Sequence, residues 1–376
     1  MAAGVPAALP RRGRAATLGR FPYLQNITET SATVVWTTAE GGLGVVRYSE
    51  DRSQGPSIPG RVRELIPAET ELATSYFRHS VELTGLKPNT LYYYRVFVDG
   101  VAVTQEELTF RTAGPGSFRF LVIGDSGAGS DEQRILRSHM LKEAASLLIH
   151  TGDMAYPLGR FIDYESNHFE VYKDLMKRCP FYPVPGNHGY MTRDAFPFVQ
   201  VHQLPFNGVS ERDRHRYYSF DWGGAHFVAL DSNTPLARTQ TGSTEMLDWL
   251  EADLKANAEK FWKIAIFHHP PYAGGPNESD PLSILARRVL VPILERHGVQ
   301  LVLCGHEHSY QRSHTIRDGA IVQENEGTVY MTSGGGGMYL YEVYPNPFVV
   351  MGRSAHHYLR CSAEGGRLAL EAIGLD

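Results

Sequence analysis

The stretch FRFLVIGDSG, residues 118–127, is an apolar run that ends in a short polar turn. Its apolar residues do not alternate with polar ones, which indicates a strand buried on both faces. Four further segments repeat this arrangement: ASLLIHTGD at 145–153, FYPVPGNH at 181–188, FWKIAIFHH at 261–269 and VQLVLCGHEH at 299–308. Because sites in such sheets form outside the carboxyl ends of the strands, we expect the five polar motifs to converge.

Helical periodicity fills the sequence between the apolar runs. Apolar residues recur at spacings of three and four in four segments, namely 131–145, 163–177, 244–256 and 284–297. The alternation of strands and helices predicts the α/β class, with a two-sheet α/β sandwich. A run of four glycines at 334–337 lacks the Lys-Ser/Thr of a P-loop, and we interpret it as a flexible loop at the rim of the site.

Residues 21–113 follow a different pattern, because short β-rich runs succeed one another with turn signals and no helices between them. The segment LKPNTLYYY at 86–94 resembles the tyrosine corner of fibronectin type III domains, with Trp36 as the core tryptophan. We predict a disordered tail at 1–18, an all-β fibronectin type III-like sandwich at 19–113 and the α/β domain at 114–376. The sandwich is expected to be a scaffold without chemistry of its own.

The composition narrows the classes of partner. The 376 residues carry a formal net charge of −5 and contain no basic run, so the sequence does not support nucleic-acid or anionic-membrane binding. No stretch has the roughly 18–20 apolar residues of a membrane span, and the apolar stretch before the first arginines is too short for a signal peptide. We expect His79, His139, His168, His215 and His297 to be surface or helix residues without a role.

The five motifs contain side chains that bind metal ions: Asp125, Asp153, Tyr156, Asn187, His268, His306 and His308. Two cations about 3.5–4 Å apart need a bridging group, and a carboxylate with two oxygens is suitable. Asp153 is the candidate bridge. The coordination of one ion would be completed by Asp125, Tyr156 and His308. The coordination of the other would be completed by Asn187, His268 and His306.

The two predicted ligand sets favour different metals. A phenolate with two carboxylates offers hard anionic oxygen, which favours Fe(III) in the tyrosine site. Two imidazoles with a neutral amide oxygen suit a divalent ion, either Zn, Fe or Mn. The sequence therefore predicts Fe(III) in one position and a divalent ion in the other.

In this order the motifs GDSG, GDMAY, GNH, FHH and GHEH resemble the purple acid phosphatases of the calcineurin-like metallophosphoesterase superfamily. Most of that superfamily has Asp-x-His in the first motif, whereas here Asp125 is followed by Ser126 and Gly127. Tyr156 would supply the missing ligand, as in the purple enzymes. Larger members also carry an N-terminal fibronectin-like domain, so the resemblance covers nearly the whole chain.

The resemblance implies a binuclear-metal hydrolase that cleaves phosphate monoesters through a metal-activated hydroxide, with a small phosphorylated substrate. It implies an outer-shell role for His188, as a phosphate ligand or as the acid for the leaving group. His269 and Tyr310 are further candidates for substrate binding. It also implies a secreted or periplasmic location, although we identify no signal peptide in this chain.

Two positions depart from the family pattern. Gly189 follows the GNH motif where members often have an acidic residue, and the loop at 270–280 lacks the histidines of plant-type members. Glu278 or Asp280 in that loop is an alternative acid. The alternative functions are a phosphodiesterase or nucleotidase of the same superfamily and, less favoured, a non-catalytic binding protein.

Overall fold

The structure is a computed structural model that describes residues 15–53 and 55–375. Residues 1–14 of the predicted tail at 1–18 lie outside the described residues. The last residue of that predicted tail, Leu18, is the first residue of a strand. None of the helices in the described ranges has the length and apolar character needed to cross a membrane.

An all-β sandwich forms the N-terminal part. Its elements are β1 (Leu18–Gln25), β2 (Ser31–Thr38), β3 (Gly44–Ser49), β4 (Ser57–Pro59), β5 (Arg61–Leu65), the short α1 (Pro67–Thr70), β6 (Tyr76–Thr84), β7 (Leu91–Val98), β8 (Val101–Ala102) and β9 (Leu108–Arg111). One sheet has the order β1-β2-β6-β5, and the other has the order β4-β3-β7-β8 with β9 beside β7. Trp36 is fully buried, and the backbone N–H of Lys87 donates to the Tyr92 hydroxyl at 2.9 Å. These features confirm the predicted fibronectin-like sandwich and its tyrosine corner.

The C-terminal part is the predicted two-sheet α/β sandwich. Its strands are β10 (Phe118–Ile123), β11 (Leu147–His150), β12 (Phe181–Pro183), β13 (Tyr218–Trp222), β14 (Ala225–Ala229), β15 (Trp262–Ile266), β16 (Leu301–Cys304), β17 (Tyr310–Arg317), β18 (Ala320–Ile321), β19 (Thr328–Ser333), β20 (Val349–Arg353), β21 (His357–Glu364) and β22 (Arg367–Gly374). Its helices are α2 (Asp131–Met140), α3 (Phe161–Tyr164), α4 (Glu170–Met176), α5 (Phe196–Val201), α6 (Thr234–Ala237), α7 (Glu245–Ala256), α8 (Pro281–Val289) and α9 (Val291–Arg296).

The two sheets divide the five motifs between them. One sheet has the order β12-β11-β10-β21-β22, and its strands β10, β11 and β12 precede the first three motifs. The other has the order β13-β14-β15-β16-β19-β17-β18, and its parallel strands β15 and β16 precede the last two. The site therefore lies where the carboxyl ends of strands from the two sheets face each other.

The helices depart from their predicted bounds in several places. Helix α2 ends at Met140 rather than at 145, and the segment predicted at 284–297 forms the two helices α8 and α9. A π-helical turn, Glu165–Phe169, joins α3 to α4 inside the segment predicted as one helix. Helix α8 begins before the predicted start, because the Asp280 carboxylate accepts hydrogen bonds from the backbone N–H groups of Leu282 (2.8 Å) and Ser283 (3.1 Å). The prediction of a surface or helix position is wrong for His79, which is buried in β6, and for His215, which is buried in a turn, whereas His168 lies buried in the π-helical turn.

The sandwich packs tightly against the α/β part. Buried apolar residues from both parts form one cluster, and the Tyr23 hydroxyl donates to the Val201 carbonyl at 2.7 Å. The Arg20 guanidinium is 4% exposed, pairs with Glu165 and lies 3.6 Å from the centre of the Phe169 ring. Because the shared core joins the two parts, the division into two domains between residues 113 and 114 stays a proposal.

We predict that Glu165→Gln lowers the thermal stability of the protein. The substitution leaves a buried guanidinium without its carboxylate, which costs about 3 kcal/mol when a buried pair is broken. Glu371→Gln is the matched control, since it removes only the exposed pair with Arg360 and costs under about 1 kcal/mol. Scanning calorimetry measures both midpoints, and equal midpoints for the two variants would contradict the prediction.

Candidate metal centre

Short glycine-containing turns bring the five motifs together. Asp125 and Asp153 lie in the turns after β10 and β11 with φ of 53° and 57°, and His306 has φ of 69°. A Cβ atom on Gly186 would lie 2.1 Å from Asp153 Oδ1, and one on Gly305 would lie 2.5 Å from Asp125 Oδ2. The motifs therefore interlock, because the glycine before one ligand leaves room for the carboxylate of another.

Tyr156 lies at the centre of the first predicted ligand set. Its hydroxyl is 3.1 Å from Asp125 Oδ1, 3.2 Å from Asp153 Oδ2 and 3.1 Å from His308 Nε2. Burial, followed by the carboxylates of Asp153 and Asp125, raises the pKa of Tyr156 well above its ordinary value. The phenol therefore keeps its proton until a cation offsets those effects, which is the role that the predicted ion would have.

The second predicted set lies on the other side of Asp153. Asn187 Oδ1 is 2.9 Å from His268 Nε2 and 3.1 Å from His306 Nδ1, and His268 Nε2 is 3.4 Å from Asp153 Oδ2. Burial alone would raise the pKa of Asp153, but the charge and hydrogen bond of His268 outweigh it, so the pKa is lowered. The structure thus places Asp153 in contact with both sets, as a bridging ligand requires.

Backbone carbonyls orient the imidazoles. His268 Nδ1 donates to the Thr151 carbonyl at 2.8 Å, and His308 Nδ1 donates to the Tyr339 carbonyl at 2.8 Å. This leaves the Nε2 lone pairs directed at the centre, which is the usual arrangement of metal-binding histidines. Ligand atoms of Asp125, Asp153 and His268 lie within 4.8 Å of one another. The donor set therefore fits metal ions.

His188 faces the same space from the solvent side. Its Nδ1 donates to the Pro157 carbonyl at 2.6 Å, and its ring packs against Tyr156 with centroids 4.3 Å apart. Its Nε2 lies 4.0 Å from Asp153 Oδ2, and the side chain is 28% exposed. The Pro157 carbonyl thus takes the place of the acidic partner that position 189 lacks.

The other two predicted substrate residues lie further from the centre. His269 is 1% exposed, and its Nδ1 is 2.7 Å from Ser232 Oγ. Its ring packs against the His306 imidazole, with ring centroids 4.6 Å apart. Tyr310 lies in β17, and its ring packs edge-on against the imidazole of His357. Among the described residues, no side-chain contact joins Tyr310 to a predicted metal ligand. A role of His269 or Tyr310 in substrate binding therefore stays a prediction.

The alternative acids in the 270–280 loop have structural contacts. Glu278 Oε1 accepts a hydrogen bond from Asn346 at 3.2 Å, and Asp280 caps α8 while its Oδ2 lies 3.8 Å from His306 Nε2. That nitrogen is buried without a hydrogen bond among the described residues. Asp280 is therefore placed to orient His306 rather than to reach a leaving group.

The sequence analysis did not identify the residues that follow the four glycines as neighbours of the metal centre. The Tyr341 ring stacks on the His308 imidazole, with centroids 4.2 Å apart and planes at 7°, and the Tyr339 side chain is 62% exposed beside it. Gly334–Gly337 is buried rather than a flexible rim, because Gly336 N–H donates to the Gly124 carbonyl at 2.9 Å. The glycine run was the available signal, since only glycine allows this close approach.

Comparisons with known proteins agree with this architecture. Residues 118–310 match the calcineurin-like phosphoesterase family, and residues 22–112 match the purple acid phosphatase N-terminal domain. Two sheets that meet at a cluster of metal-binding side chains define a metallophosphoesterase, and the chain belongs to the purple acid phosphatases of the calcineurin-like phosphoesterase family. This family implies a binuclear metal centre.

The relatives share the sequence at moderate identity. Purple acid phosphatase 15 of Arabidopsis thaliana is 28% identical over 306 residues, covering 70% of this chain and 54% of its own length. Probable purple acid phosphatase 20 of the same plant is 29% identical over 296 residues, covering 74% and 65%. The chain therefore spans between about half and two thirds of the length of these relatives.

A solved structure shares the fold. The purple acid phosphatase PPD1 from yellow lupin seeds superposes with a TM-score of 0.81 at 17% identity, covering 96% of this chain and 72% of that one. The structure of PhoD gives 0.67 at 14% identity, covering 94% and 88%. At these identities the similarity concerns the fold alone.

We predict that Asn187→Ala retains one metal ion, whereas Asp153→Ala loses both. Asn187 contacts only the second ligand set, while Asp153 contacts both. Asp248→Asn, an exposed carboxylate on α7, serves as the control and keeps both ions. Metal analysis by mass spectrometry gives the content per chain, and two ions in Asn187→Ala would disprove the assignment.

Proposed function

We propose that the protein is an acid phosphatase that hydrolyses phosphate monoesters at a binuclear centre. Fe(III) would lie in the Tyr156 site and a divalent Zn, Fe or Mn ion in the Asn187 site. The observation that supports this most strongly is the position of the Tyr156 hydroxyl, within 3.2 Å of two carboxylates and one imidazole. The ions, when bound, supply a water nucleophile of lowered pKa and neutralise phosphoryl charge.

The protein's own residues arrange this chemistry. Asp153 holds the two ligand sets at a fixed spacing, and its Oδ1 accepts a hydrogen bond from the His188 backbone N–H at 2.9 Å. The position of the His188 ring is therefore tied to the bridge. Its Nδ1–H is committed to the Pro157 carbonyl, so Nε2 is the atom that contacts a phosphoryl oxygen or gives a proton to the leaving group.

We predict a visible absorption band for the loaded protein that Tyr156→Phe abolishes. The band arises from charge transfer between a tyrosinate and Fe(III), so it requires the phenol oxygen. Tyr341→Phe is the control: it keeps the ring that stacks on His308 and retains the band. A band that survives in Tyr156→Phe, or a colourless protein that holds two divalent ions after oxidation, would refute the iron assignment.

We predict that His188→Ala lowers kcat by about 10²–10⁴ for alkyl phosphates, the range for loss of a general acid. The loss should be smaller for p-nitrophenyl phosphate, because its leaving group needs little protonation. Steady-state kinetics with both substrates measures the difference. An equal loss in kcat for both would exclude the acid role, and a change confined to KM would assign His188 to phosphate binding.

A further inference from the structure

A groove separate from the metal centre lies between the sandwich and the α/β part. It has a volume of about 370 Å³, and its polar lining includes Arg61, Arg63, Arg78, Gln200, Arg214 and His215. We call this cavity the arginine groove. It shares no lining residue with the predicted metal ligands, so an inference about it is independent of the proposed phosphatase activity.

The strand register concentrates positive charge in the groove. Strands β5 and β6 pair antiparallel, and Arg63 lies directly opposite Arg78, with Arg61 opposite Ser80. Like charges directly opposite one another destabilise a sheet, and Arg61 is diagonal to Arg78 within reach of a long side chain. The sheet therefore tolerates a cost that an anion between the guanidinium groups would remove.

Two of the four arginines have carboxylate partners. Arg63 Nη2 is 3.0 Å from Glu69 Oε1, and Arg214 Nε donates to Glu211 at 2.8 Å. In the described part of the chain, the side chain of Arg61 has no ion pair and no hydrogen bond. The remaining two guanidinium groups, on Arg61 and Arg78, lack a negative partner.

Arg78 is held in place at the groove wall. Its guanidinium donates to the Gln200 carbonyl on α5, which is a neutral partner. Burial lowers the pKa of Arg78, and the neighbouring cations Arg63 and Arg20 lower it further, against an opposing effect of Tyr23. Arg78 is thus a partly desolvated cation whose nearest charged neighbours carry the same sign.

His215 adds a neutral donor to the groove. It is 6% exposed, and its Nδ1 accepts a hydrogen bond from the Leu204 backbone N–H at 3.1 Å. The proton must then be on Nε2, for which the described residues provide no partner. Burial, with Arg214 and Arg78, lowers the pKa of His215 to about 4, so the ring is a neutral donor near neutral pH.

We propose that the arginine groove binds a phosphate group. Guanidinium forks match phosphate oxygens in pairs, and the two uncompensated charges equal those of a phosphate dianion. The volume corresponds to roughly a dozen water molecules, which is ample for one phosphate group. The phosphate is either inorganic phosphate or the phosphate group of a small phosphorylated ligand.

The test uses the metal-loaded protein and inorganic phosphate in equilibrium dialysis. We expect wild type to bind one more phosphate per chain than the double variant Arg61→Gln/Arg78→Gln. Arg367→Gln, an exposed arginine on β22, is the control and should match wild type. If the phosphatase proposal fails, wild type would bind one phosphate and the double variant none, so the two proposals fail separately.

The single variant Arg61→Gln guards against a folding defect, because Arg61 is exposed and contacts no partner among the described residues. It should weaken the groove site about tenfold, the loss of one charge-assisted hydrogen bond. A ligand source predicts instead that Arg61→Gln weakens the binding of a non-hydrolysable sugar phosphonate more than that of inorganic phosphate, measured by the same dialysis. Equal binding of both probes in all variants would overturn the proposal, as would an oligonucleotide that binds the groove when phosphate does not.

Discussion

The Asp153 carboxylate is in contact with a residue of its own motif and with residues of two others, and the geometry of the centre depends on those contacts. Its oxygens lie near the Tyr156 hydroxyl, the His268 imidazole and the His188 backbone N–H. These groups follow strands of two different sheets. The spacing between the sheets is therefore coupled to a single side chain, and moving either sheet would separate the two ligand sets.

This coupling has a conformational cost. Asp125, Asp153 and His306 all have left-handed backbone conformations, which cost of order 1–3 kcal/mol each for residues other than glycine. Asp125 offsets part of this by accepting a hydrogen bond from the His306 N–H at 2.9 Å. Such conformations persist only where the surroundings determine them, and here the surroundings are the other motifs. The five motifs form one unit that none of them could build alone.

Local patterns in the sequence account for the strand ends and the ligands, because a buried run followed by a glycine and a metal-binding side chain is contained within about ten residues. The structure brings the side chains of both predicted ligand sets close together, and their assignment as metal ligands stays a prediction. The groups that orient the ligands could not be predicted in this way. The Pro157 carbonyl, the Tyr339 carbonyl and the stacked Tyr341 ring act through contacts between distant segments that leave no periodic signal. The arginine groove is a similar case: the chain has no basic run, yet β5, β6 and residues 214–215 bring four arginines together. On our proposal, the sandwich contributes Arg61, Arg63 and Arg78 to a binding site in addition to the scaffold role that the sequence indicated.

The partner of His188 has a consequence for the charge near the substrate. An acidic residue at position 189 would orient the imidazole and also add a negative charge beside an incoming phosphate. The Pro157 carbonyl fixes the same ring nitrogen without adding a charge, and Gly189 adds no side chain beside it. The centre already contains two carboxylates and a phenol that would lose its proton on binding a cation, so a further carboxylate would increase the repulsion that the proposed ions must overcome. In the proposed phosphatase, the neutral carbonyl would favour the approach of a dianionic phosphate ester while keeping His188 Nε2 directed at it.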